Sequence, residues 1–309
     1  MLRALASAFF YTRFFHRFST VGWRQRQTAF QPYSESLAGQ VWLVTGASGG
    51  IGAAISTEAA RRGATVLAMA RNARTLEALG AALPPERWQP QAVDLSRMAA
   101  IRGWVTRQER PIDVLVNNVG VLLNDYRRTD EGLESSFASN LLGHYLLTEG
   151  LHAAGLLKPS GCVIEMSSGG AYGAKLVLDP MLYPDGAGYD GMAAYAMHKR
   201  AQLELVRHWN RRWPQGPRAY AMHPGWVDTD GVKSSLPWFR ATLRAFLRTP
   251  AQGADTALWL GTTRPALTAE GCFWLDRVRD TEHAFGFTRQ ESPDAEALGA
   301  FLAAQAAAV

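Results

Sequence analysis

The 309-residue sequence has few cysteines and no long hydrophobic run. Its two cysteines, Cys162 and Cys272, are too few for a disulfide framework and favour a reducing compartment. No uncharged apolar stretch reaches about 18 residues, so the sequence predicts no transmembrane helix. Charged residues make up 19% and hydrophobic residues 47%, a balance that argues against disorder. We therefore expect a folded cytoplasmic protein, either free or peripheral at a membrane surface.

The N-terminal end of the chain has no acidic residue before Glu35. The arginines that precede it are Arg3, Arg13, Arg17, Arg24 and Arg26. The net charge of the whole chain is only +5. The rest of the chain shows no nucleic-acid-binding module and no basic patch interleaved with stacking aromatics, so we predict no nucleic-acid partner. The histidines lack the spacing of metal ligands, so we predict no metal site.

Residues 1–36 differ in pattern from the remainder of the chain. Apolar residues recur there at steps of three, four and one, with arginines between them: Leu2, Leu5, Phe9, Phe10, Phe14, Phe18 and Val21. This spacing predicts a basic amphipathic N-terminal extension. The helix either packs on the domain or on a second subunit, lies on a membrane surface, or is a cleaved targeting peptide. Its interleaved basic and apolar residues are unlike a secretory signal.

From residue 37 the chain alternates between short apolar runs and helical patterns. The predicted strands are 41–45, 65–69, 91–93, 113–117, 161–167, 218–222 and 272–275. The predicted helices are 51–62, 73–82, 96–108, 131–156, 192–213 and 250–262. Such alternation predicts an α/β fold, a doubly wound parallel sheet of about seven strands with helices on both faces. We expect a single domain over residues 37–290, followed by an Ala-rich C-terminal helix within 291–309.

The first predicted strand runs into a glycine-rich turn, V-W-L-V-T-G-A-S-G-G-I-G. Gly46 permits a tight turn, Gly50 lets the backbone approach a pyrophosphate, and Gly52 lets the following helix sit close to the sheet. The N-terminus of that helix offers free N–H groups and a positive dipole end to phosphates. The turn therefore predicts a dinucleotide site formed by Thr45, Gly46, Ser48, Gly49, Gly50, Ile51 and Gly52.

The end of the second predicted strand indicates which dinucleotide binds. An acidic residue at this point would bond the ribose hydroxyls of NAD, but the chain has Ala70 there, followed by Arg71. Arg74 lies one turn further on. A guanidinium suits a 2′-phosphate in shape and charge. We therefore predict NADP(H) as the preferred cofactor, with NAD(H) as the alternative. A solvated arginine at the helix start is the other interpretation, above all for Arg74.

Two further polar groups share one predicted helix. Tyr195 and Lys199 are four residues apart and so lie on the same helix face. An ammonium group near a phenol favours the phenolate and lowers its pKa, so that the tyrosine can exchange a proton with a carbonyl or alcohol oxygen. A serine from the preceding Ser167-Ser168 pair can bond the same oxygen as charge develops on it.

These motifs together resemble the short-chain dehydrogenase/reductase family. The resemblance covers residues 38–262, with T-G-A-S-G-G-I-G, D-L, N-N-V-G, an Asn on the fifth helix, S-S, Y-A-M-H-K and H-P-G-W-V-D-T in family order. It implies a Rossmann-type fold and a catalytic tetrad of Asn140, Ser168, Tyr195 and Lys199, with Ser167 as the alternative serine. Lys199 would also bond the nicotinamide ribose, and Asn140 would hold a water in the proton relay.

The resemblance also implies the remaining cofactor contacts. Asp94, beside Leu95, would contact the adenine, and Asn118 and Gly120, next to Asn117, would line the adenine ribose. Pro224, Val227 and Thr229 would hold the nicotinamide carboxamide, in a segment that includes Gly225. The predicted cofactor-binding residues beyond the glycine turn are Arg71, Asp94, Leu95, Asn117, Asn118, Gly120, Tyr195, Lys199, Pro224, Gly225, Val227 and Thr229.

The sequence departs from the commonest family pattern at two places. N-N-V-G replaces N-N-A-G, which adds bulk without removing a chemical group. The stretch between Ser168 and Tyr195 is longer than usual and resembles that of retinol-dehydrogenase-like members. Residues 251–260, H-P-G-W-V-D-T and the aromatic N-terminal extension look most like the dehydrogenase/reductase family member 12 group.

The segment 230–249 resembles the mobile substrate lid of such folds. Apolar residues here favour a hydrophobic aldehyde, ketone, lipid-derived or retinoid substrate: Leu236, Pro237, Trp238, Phe239, Leu243, Phe246 and Leu247. Packing of this apolar stripe on the core is the alternative. Because the segment also carries basic residues, it and residues 1–36 could both face a membrane. The family often forms homodimers, which the N-terminal extension could block.

Together these features predict an oxidoreductase that transfers hydride between NADP(H) and a carbonyl or alcohol. The alternative from another class is a regulator or scaffold that binds NADPH without turnover, although the complete tetrad argues against it. The sequence is also compatible with a dehydratase or epimerase on the same fold, and with a membrane-interaction protein dominated by residues 1–36.

Overall fold

An eight-stranded sheet runs through the centre of the molecule. The computed structural model describes residues 12–34, 36–267, 272–289 and 294–309. The strands are β1 (Val41–Thr45), β2 (Thr65–Ala70), β3 (Trp88–Ala92), β4 (Ile112–Asn117), β5 (Leu157–Met166), β6 (Arg218–Met222), β7 (Phe273–Leu275) and β8 (Val278–Arg279). Their order is β3-β2-β1-β4-β5-β6-β7-β8, and neighbours are parallel except β7 and β8. The predicted doubly wound α/β fold is confirmed.

Helices cover both faces of the sheet. They are α1 (Thr20–Arg26), α2 (Gly50–Arg61), α3 (Ala73–Gly80), α4 (Met98–Arg107), α5 (Gly143–Ala153), α6 (Gly191–Arg212), α7 (Asp230–Ser235), α8 (Pro237–Leu243), α9 (Pro250–Thr263) and α10 (Ala295–Ala307). Along β1, Trp42 and Val44 join the core formed with α2 and α9, whereas Leu43 joins the core formed with α4, α5 and α6. This alternation follows from the two-residue period of a strand.

The strand order reverses at β1, which pairs with β2 on one side and with β4 on the other. From the carboxyl end of β1 the chain crosses toward one half of the sheet, and from that of β4 it crosses toward the other half. A crevice therefore opens between these two strand ends. The predicted glycine turn follows β1 and lies at this crevice. The ends of β4, β5 and β6 reach the same edge, because parallel strands share one direction.

The extra strand, β8, arises from a tight hairpin that the sequence did not predict. Asp276 and Arg277, the residues between β7 and β8, both have positive φ, +51° and +62°. Two such residues form the type of turn whose twist matches an antiparallel hairpin. Its usual sequence is Asn-Gly or Asp-Gly, so Asp-Arg does not signal it.

Three predicted elements begin three or more residues from their predicted start. β3 begins at Trp88 rather than residue 91, and Pro90 is tolerated there because β3 is an edge strand. β5 begins at Leu157 rather than 161. The helix predicted from 131 begins at Ser135, where the carboxylate of Glu134 accepts hydrogen bonds from the backbone N–H groups of Ser136 and Phe137.

The described part of the N-terminal extension packs on the domain. Residues 12–18 are helical and continue into α1 after Ser19. The rings of Phe14 and Phe18 are buried and stack 4.7 Å apart, and both also stack on Tyr172. Residues 1–11 of the predicted extension lie outside the described residues. Among the described residues, no helix combines the length and apolar character needed to cross a membrane.

The C-terminal helix α10 lies against α6. Leu298 and Leu302 of α10 belong to the same core as Trp209 of α6, and Gly299 lies beside the ring of His208. The first residues of the predicted 291–309 segment, up to 293, fall outside the described residues. Part of the surface of α6 is therefore covered by the chain's own C-terminus. Formation of a homodimer stays a prediction.

Candidate active site

Hydrogen bonds join the glycine turn to the end of β4. The hydroxyl of Thr45 donates to the carbonyl oxygen of Val116 at 3.3 Å and accepts from the backbone N–H groups of Asn118 at 2.9 Å and Val119 at 3.2 Å. The side-chain amide of Asn118 donates in turn to the carbonyl oxygen of Thr45 at 2.8 Å. These bonds add to the backbone pairing that joins β1 and β4.

Three glycines shape the turn itself. Gly46 and Gly50 have φ of +67° and +54°, values that favour glycine. A Cβ on Gly52 would collide with the carbonyl oxygen of Gly46, so α2 approaches the turn closely because this residue has no side chain. A Cβ on Gly50 would lie 3.1 Å from a methyl carbon of Thr229, which places the loop after β6 opposite the turn.

The residues present fit a dinucleotide. The N-cap of α2 is Gly49, and no side chain caps the helix. The first N–H groups of a helix have no partner within the helix, so those of α2 are available to a phosphate. Ser48 and Ile51 flank this helix start, and the loop that includes Pro224 and Thr229 closes the opposite side.

Arg71 and Asp94 follow the neighbouring strands. Arg71 is exposed directly after β2, and none of the described residues bonds its guanidinium. The carboxylate of Asp94 accepts from the backbone N–H of Ser96 at 2.9 Å and from its hydroxyl at 2.8 Å, which shapes the loop after β3. The side chain of Leu95 is buried in the core.

Ser168 and Tyr195 meet at the carboxyl edge of the sheet. The hydroxyl of Ser168 accepts from the backbone N–H of Gly170 at 3.2 Å, and Gly170 lies against Tyr195, since a Cβ there would be 3.7 Å from the tyrosine ring. Ser167, the alternative serine, is buried and donates to the carbonyl oxygen of Lys199 at 2.7 Å. Ser168 therefore lies next to the tyrosine, whereas Ser167 links β5 to α6 through its hydrogen bond.

The predicted lowering of the Tyr195 pKa is wrong for this arrangement. Loss of solvent around Tyr195 raises its pKa above the usual value, and the nearby Ser168 hydroxyl opposes this rise only in part. The ammonium group of Lys199 donates to the carbonyl oxygen of Met166 at 2.7 Å and lies 5.5 Å from the centre of the Tyr195 ring. Spacing along a helix placed the two residues together but could not reveal this competing carbonyl.

Lys199 lies beside a buried carboxylate that the sequence analysis missed. Burial lowers the pKa of Lys199 to about 8, and the charge of Glu165 opposes that change. Glu165 is fully buried and accepts from the side-chain amide of Asn117 at 2.6 Å, while its other oxygen lies 3.0 Å from Nδ1 of His144. The signal that could have found Glu165 is an acidic residue inside an otherwise apolar strand.

Asn117 and Asn118 face different surroundings. The amide nitrogen of Asn117 bonds Glu165 and, at 2.9 Å, the hydroxyl of Thr148, so its side chain serves the buried cluster and not the crevice. Asn118 bonds the glycine turn. Gly120 lies near Lys199, since a Cβ there would be 3.2 Å from the lysine nitrogen.

Asn140 lies in a single π-helical turn, Ala138–Leu142, that leads into α5. Its side chain accepts from the backbone N–H of Val121 and donates to the carbonyl oxygen of Val121, both at 2.8 Å. The side-chain amide of Gln202 donates to the backbone carbonyl oxygen of Asn140 at 2.8 Å. Asn140 thus holds the chain that follows β4, and Gln202 is a second residue that the sequence motifs did not indicate.

The loop after β6 is bonded both within itself and to Arg248. Gly225 has φ of +80°, and its N–H donates to Nδ1 of His223 at 3.3 Å. Val227 is buried and bridges the backbone of Arg248. Thr229 caps α7 by accepting from the N–H of Val232 at 3.2 Å.

We predict that Glu165→Gln lowers the pKa of Lys199 below about 8. The substitution removes a negative charge that favours the ammonium form, while Gln can still accept a hydrogen bond from Asn117. The midpoint can be measured from the 13C shift of the lysine ε-carbon against pH, since the chain has four lysines.

Glu149→Gln is the matched control, because Glu149 bonds Trp209 and Arg212 and does not act on Lys199. It should leave the midpoint of Lys199 unchanged. A midpoint in Glu165→Gln equal to that of the wild type would show that the carboxylate does not influence the lysine.

Comparison with known proteins agrees with this arrangement. A family model described as short chain dehydrogenase matches residues 40–178. The dehydrogenase/reductase SDR family member 12 of Bos taurus is 37% identical over 287 residues, which cover 90% of this chain and 90% of that protein. Retinol dehydrogenase 12 of Mus musculus is 31% identical over 258 residues, 79% of each chain.

A solved structure supports the same relationship. The short-chain dehydrogenase from Sphingobium yanoikuyae in complex with NADPH is 25% identical, has a TM-score of 0.57, and matches 72% of this chain and 83% of its own. The sheet order, the glycine turn and the Ser–Tyr–Lys cluster agree with these similarities. The chain belongs to the short-chain dehydrogenase/reductase family of NAD(P)-binding oxidoreductases.

Proposed function

We propose that the protein transfers hydride between NADP(H) and a carbonyl or alcohol carbon of a hydrophobic small molecule. The observation that carries this proposal is the placement of Ser168 next to Tyr195 and beside the buried amine of Lys199, which lies 5.5 Å from the centre of the tyrosine ring. The three groups lie at the edge of the sheet where the glycine turn leaves β1, and the neighbouring helix start is uncapped.

Each polar residue has a separate part in this reaction. Tyr195 gives a proton to the substrate oxygen in reduction and accepts it in oxidation. Ser168 bonds the same oxygen as charge develops on it. Lys199 supplies positive charge near the ring up to about pH 8, where its amine loses the proton. Asn140 orders the chain after β4 through Val121. NADP(H), when bound, supplies or accepts the hydride.

We predict that Tyr195→Phe lowers the turnover number by about 10² to 10⁴-fold, because the acid–base group is lost. NADPH consumption should be followed with medium- and long-chain aldehydes, ketones and retinoids, and NADPH affinity by fluorescence titration. The affinity should stay close to that of the wild type, since the ring remains.

Tyr220→Phe is the control, since the hydroxyl of Tyr220 bonds the carbonyl oxygen of Pro265 at 2.6 Å, outside the cluster. It should retain turnover. Full turnover in Tyr195→Phe would exclude the proposed acid–base role. Tight NADPH binding by the wild type without turnover of any compound tested would favour a regulator.

Preference for NADP(H) is supported by the residues that follow β2. Ala70 ends the strand without an acidic group, and the guanidinium of Arg71 is exposed and unbonded by any of the described residues. A guanidinium binds a phosphate through charge-assisted hydrogen bonds, whereas the ribose hydroxyls of NAD would favour a carboxylate here.

We expect Arg71→Ala to weaken NADPH binding by about 10- to 100-fold, the effect of losing hydrogen bonds to a charged group. NADH binding should change little, because NADH has no 2′-phosphate. Both dissociation constants can be measured by calorimetry. Arg107→Ala, at an exposed arginine of α4, is the control and should affect neither. Equal losses for both cofactors would argue against a phosphate contact.

The segment 230–249 supports a membrane contact. It folds into α7, α8 and a 3₁₀ turn, and its side next to the crevice is fixed by a hydrogen bond of 2.8 Å from the Ser235 hydroxyl to the Leu122 carbonyl oxygen. Trp238 is 86% exposed, and Lys233 and Arg244 are exposed near it in sequence. An exposed aromatic among basic residues suits an interface with anionic lipids.

We predict that Trp238→Ser weakens binding to vesicles of phosphatidylcholine and phosphatidylglycerol by about tenfold, because a large apolar side chain no longer enters the interface. Vesicle sedimentation measures this. Val278→Ser, at a side chain 61% exposed on β8, is the control and should bind as the wild type does. If the Trp238→Ser variant bound vesicles as well as the wild type does, this segment would not be part of the membrane contact.

A further inference from the structure

One buried arginine joins three separate parts of the chain. The side chain of Arg248 is 1% exposed, and its five N–H groups all have acceptors. It donates from Nε to the Phe18 carbonyl oxygen at 3.0 Å, from Nη1 to the Pro224 carbonyl oxygen at 3.1 Å and to Asp276 at 2.6 Å, and from Nη2 to the Arg17 carbonyl oxygen at 3.0 Å and to Asp276 at 2.9 Å.

The acceptors come from elements that are remote in sequence. Arg17 and Phe18 belong to the N-terminal segment, residues 12–26. Pro224 belongs to the loop after β6, and Asp276 to the hairpin turn after β7. Arg26 of α1 adds a second link, because its Nε donates to Asp276 at 2.7 Å. The planar guanidinium can serve carbonyl and carboxylate acceptors at once, a geometry that lysine cannot reproduce.

Backbone hydrogen bonds place the N-terminal segment at the base of the segment 230–249. Residues 226–228 pair with Arg248, through Arg248 N–H to the Trp226 carbonyl oxygen at 2.6 Å and Asp228 N–H to the Arg248 carbonyl oxygen at 2.9 Å. The N–H of Trp226 donates to the carbonyl oxygen of Phe18 at 2.9 Å. The segment 230–247 is therefore bounded by two paired stretches, residues 226–228 and Arg248. The carbonyl oxygen of Phe18 bonds to both of them.

Aromatic packing strengthens the same junction. The ring of Phe18 lies 4.3 Å from that of His223 and 5.7 Å from that of Trp226. Phe15 lies 5.0 Å from Phe246, within the 230–249 segment. Gly225 accommodates the arginine, since a Cβ there would collide with the Arg248 side chain. The loop after β6 is thus enclosed between β6, Arg248 and the N-terminal segment.

We propose that Arg248 and the N-terminal segment 12–26 are positioning elements that hold residues 224–229 in the conformation that receives the cofactor. None of residues 12–26 belongs to the proposed cofactor contacts, so the segment acts through the loop. The inference rests on the proposed function, because residues 224–229 contact a cofactor only if the chain binds NADP(H). A loop that is ordered before binding loses less conformational freedom on binding, which increases affinity.

The test uses full-length variants that loosen the junction from each side. Phe18→Leu reduces the aromatic contacts, and Arg248→Lys keeps the charge but loses the planar set of donors. Thr20→Val, which removes a hydrogen bond of 3.1 Å to Gln252, is a milder variant should the others fold poorly. Phe301→Leu in α10 is the matched control, because Phe301 packs on Phe137.

Two readouts separate positioning from catalysis. Hydrogen–deuterium exchange without cofactor measures the protection of peptides that cover residues 223–229, and calorimetry measures NADPH affinity. We expect faster exchange in these peptides and affinity about tenfold weaker in Phe18→Leu and Arg248→Lys. Phe301→Leu should change neither.

Unchanged exchange and unchanged affinity in the junction variants that fold, including Thr20→Val, would overturn the inference. Faster exchange with wild-type affinity would also overturn it, because the loop would be loosened without consequence for the cofactor. Failure of the wild type to bind either NADPH or NADH would overturn the proposed function instead, and the exchange data would still decide whether the junction orders the loop.

Discussion

Thr45 and Asn118 tie together the ends of two neighbouring strands, and the rest of the site is arranged around that junction. The reversal of strand order opens a crevice between the carboxyl ends of β1 and β4, and these two residues bond the strand ends to each other there. Beside them, α2 can start close to the turn because Gly52 has no side chain. The uncapped helix start and the loop that includes Thr229 then face each other across a fixed distance.

Burial of charge is the second theme of the site. Lys199 is 2% exposed, and its amine is compensated by a carbonyl oxygen and by the nearby carboxylate of Glu165. A charge removed from water is expensive unless it is bonded and paired. The cluster of Asn117, His144 and Glu165 therefore bears on the charge state of the lysine, although it lies behind the residues that would touch a substrate.

The N-terminal extension and the segment 230–249 meet at Arg248. The ion pair of Arg248 with Asp276 is fully buried, and a buried pair is stable only when its remaining hydrogen bonds are satisfied. Here the N-terminal segment supplies two of the carbonyl acceptors. The basic, aromatic character of this segment, which as a sequence also suited a membrane surface, serves contacts within the protein over its described part.

The sequence alone was sufficient for the central elements of the fold. β1, β2, β4 and β6 lie within one residue of their predicted bounds, because buried parallel strands are short apolar runs bounded by turn residues. It missed the start of β3, an edge strand with Pro90, and the hairpin to β8, whose turn residues are Asp and Arg. Exposed edges and unusual turns leave weak local patterns.

For the candidate site, the sequence determined that Tyr195 and Lys199 share one face of a helix and that a serine pair at a strand end precedes them. Only the tertiary structure decided their electrostatics: loss of solvent around the half-buried Tyr195 raises its pKa, and Lys199 turns to the Met166 carbonyl oxygen. It also decided that Glu165 and Arg248 matter. Burial and distant hydrogen-bond partners depend on how remote segments pack, whereas a motif records only neighbours along the chain.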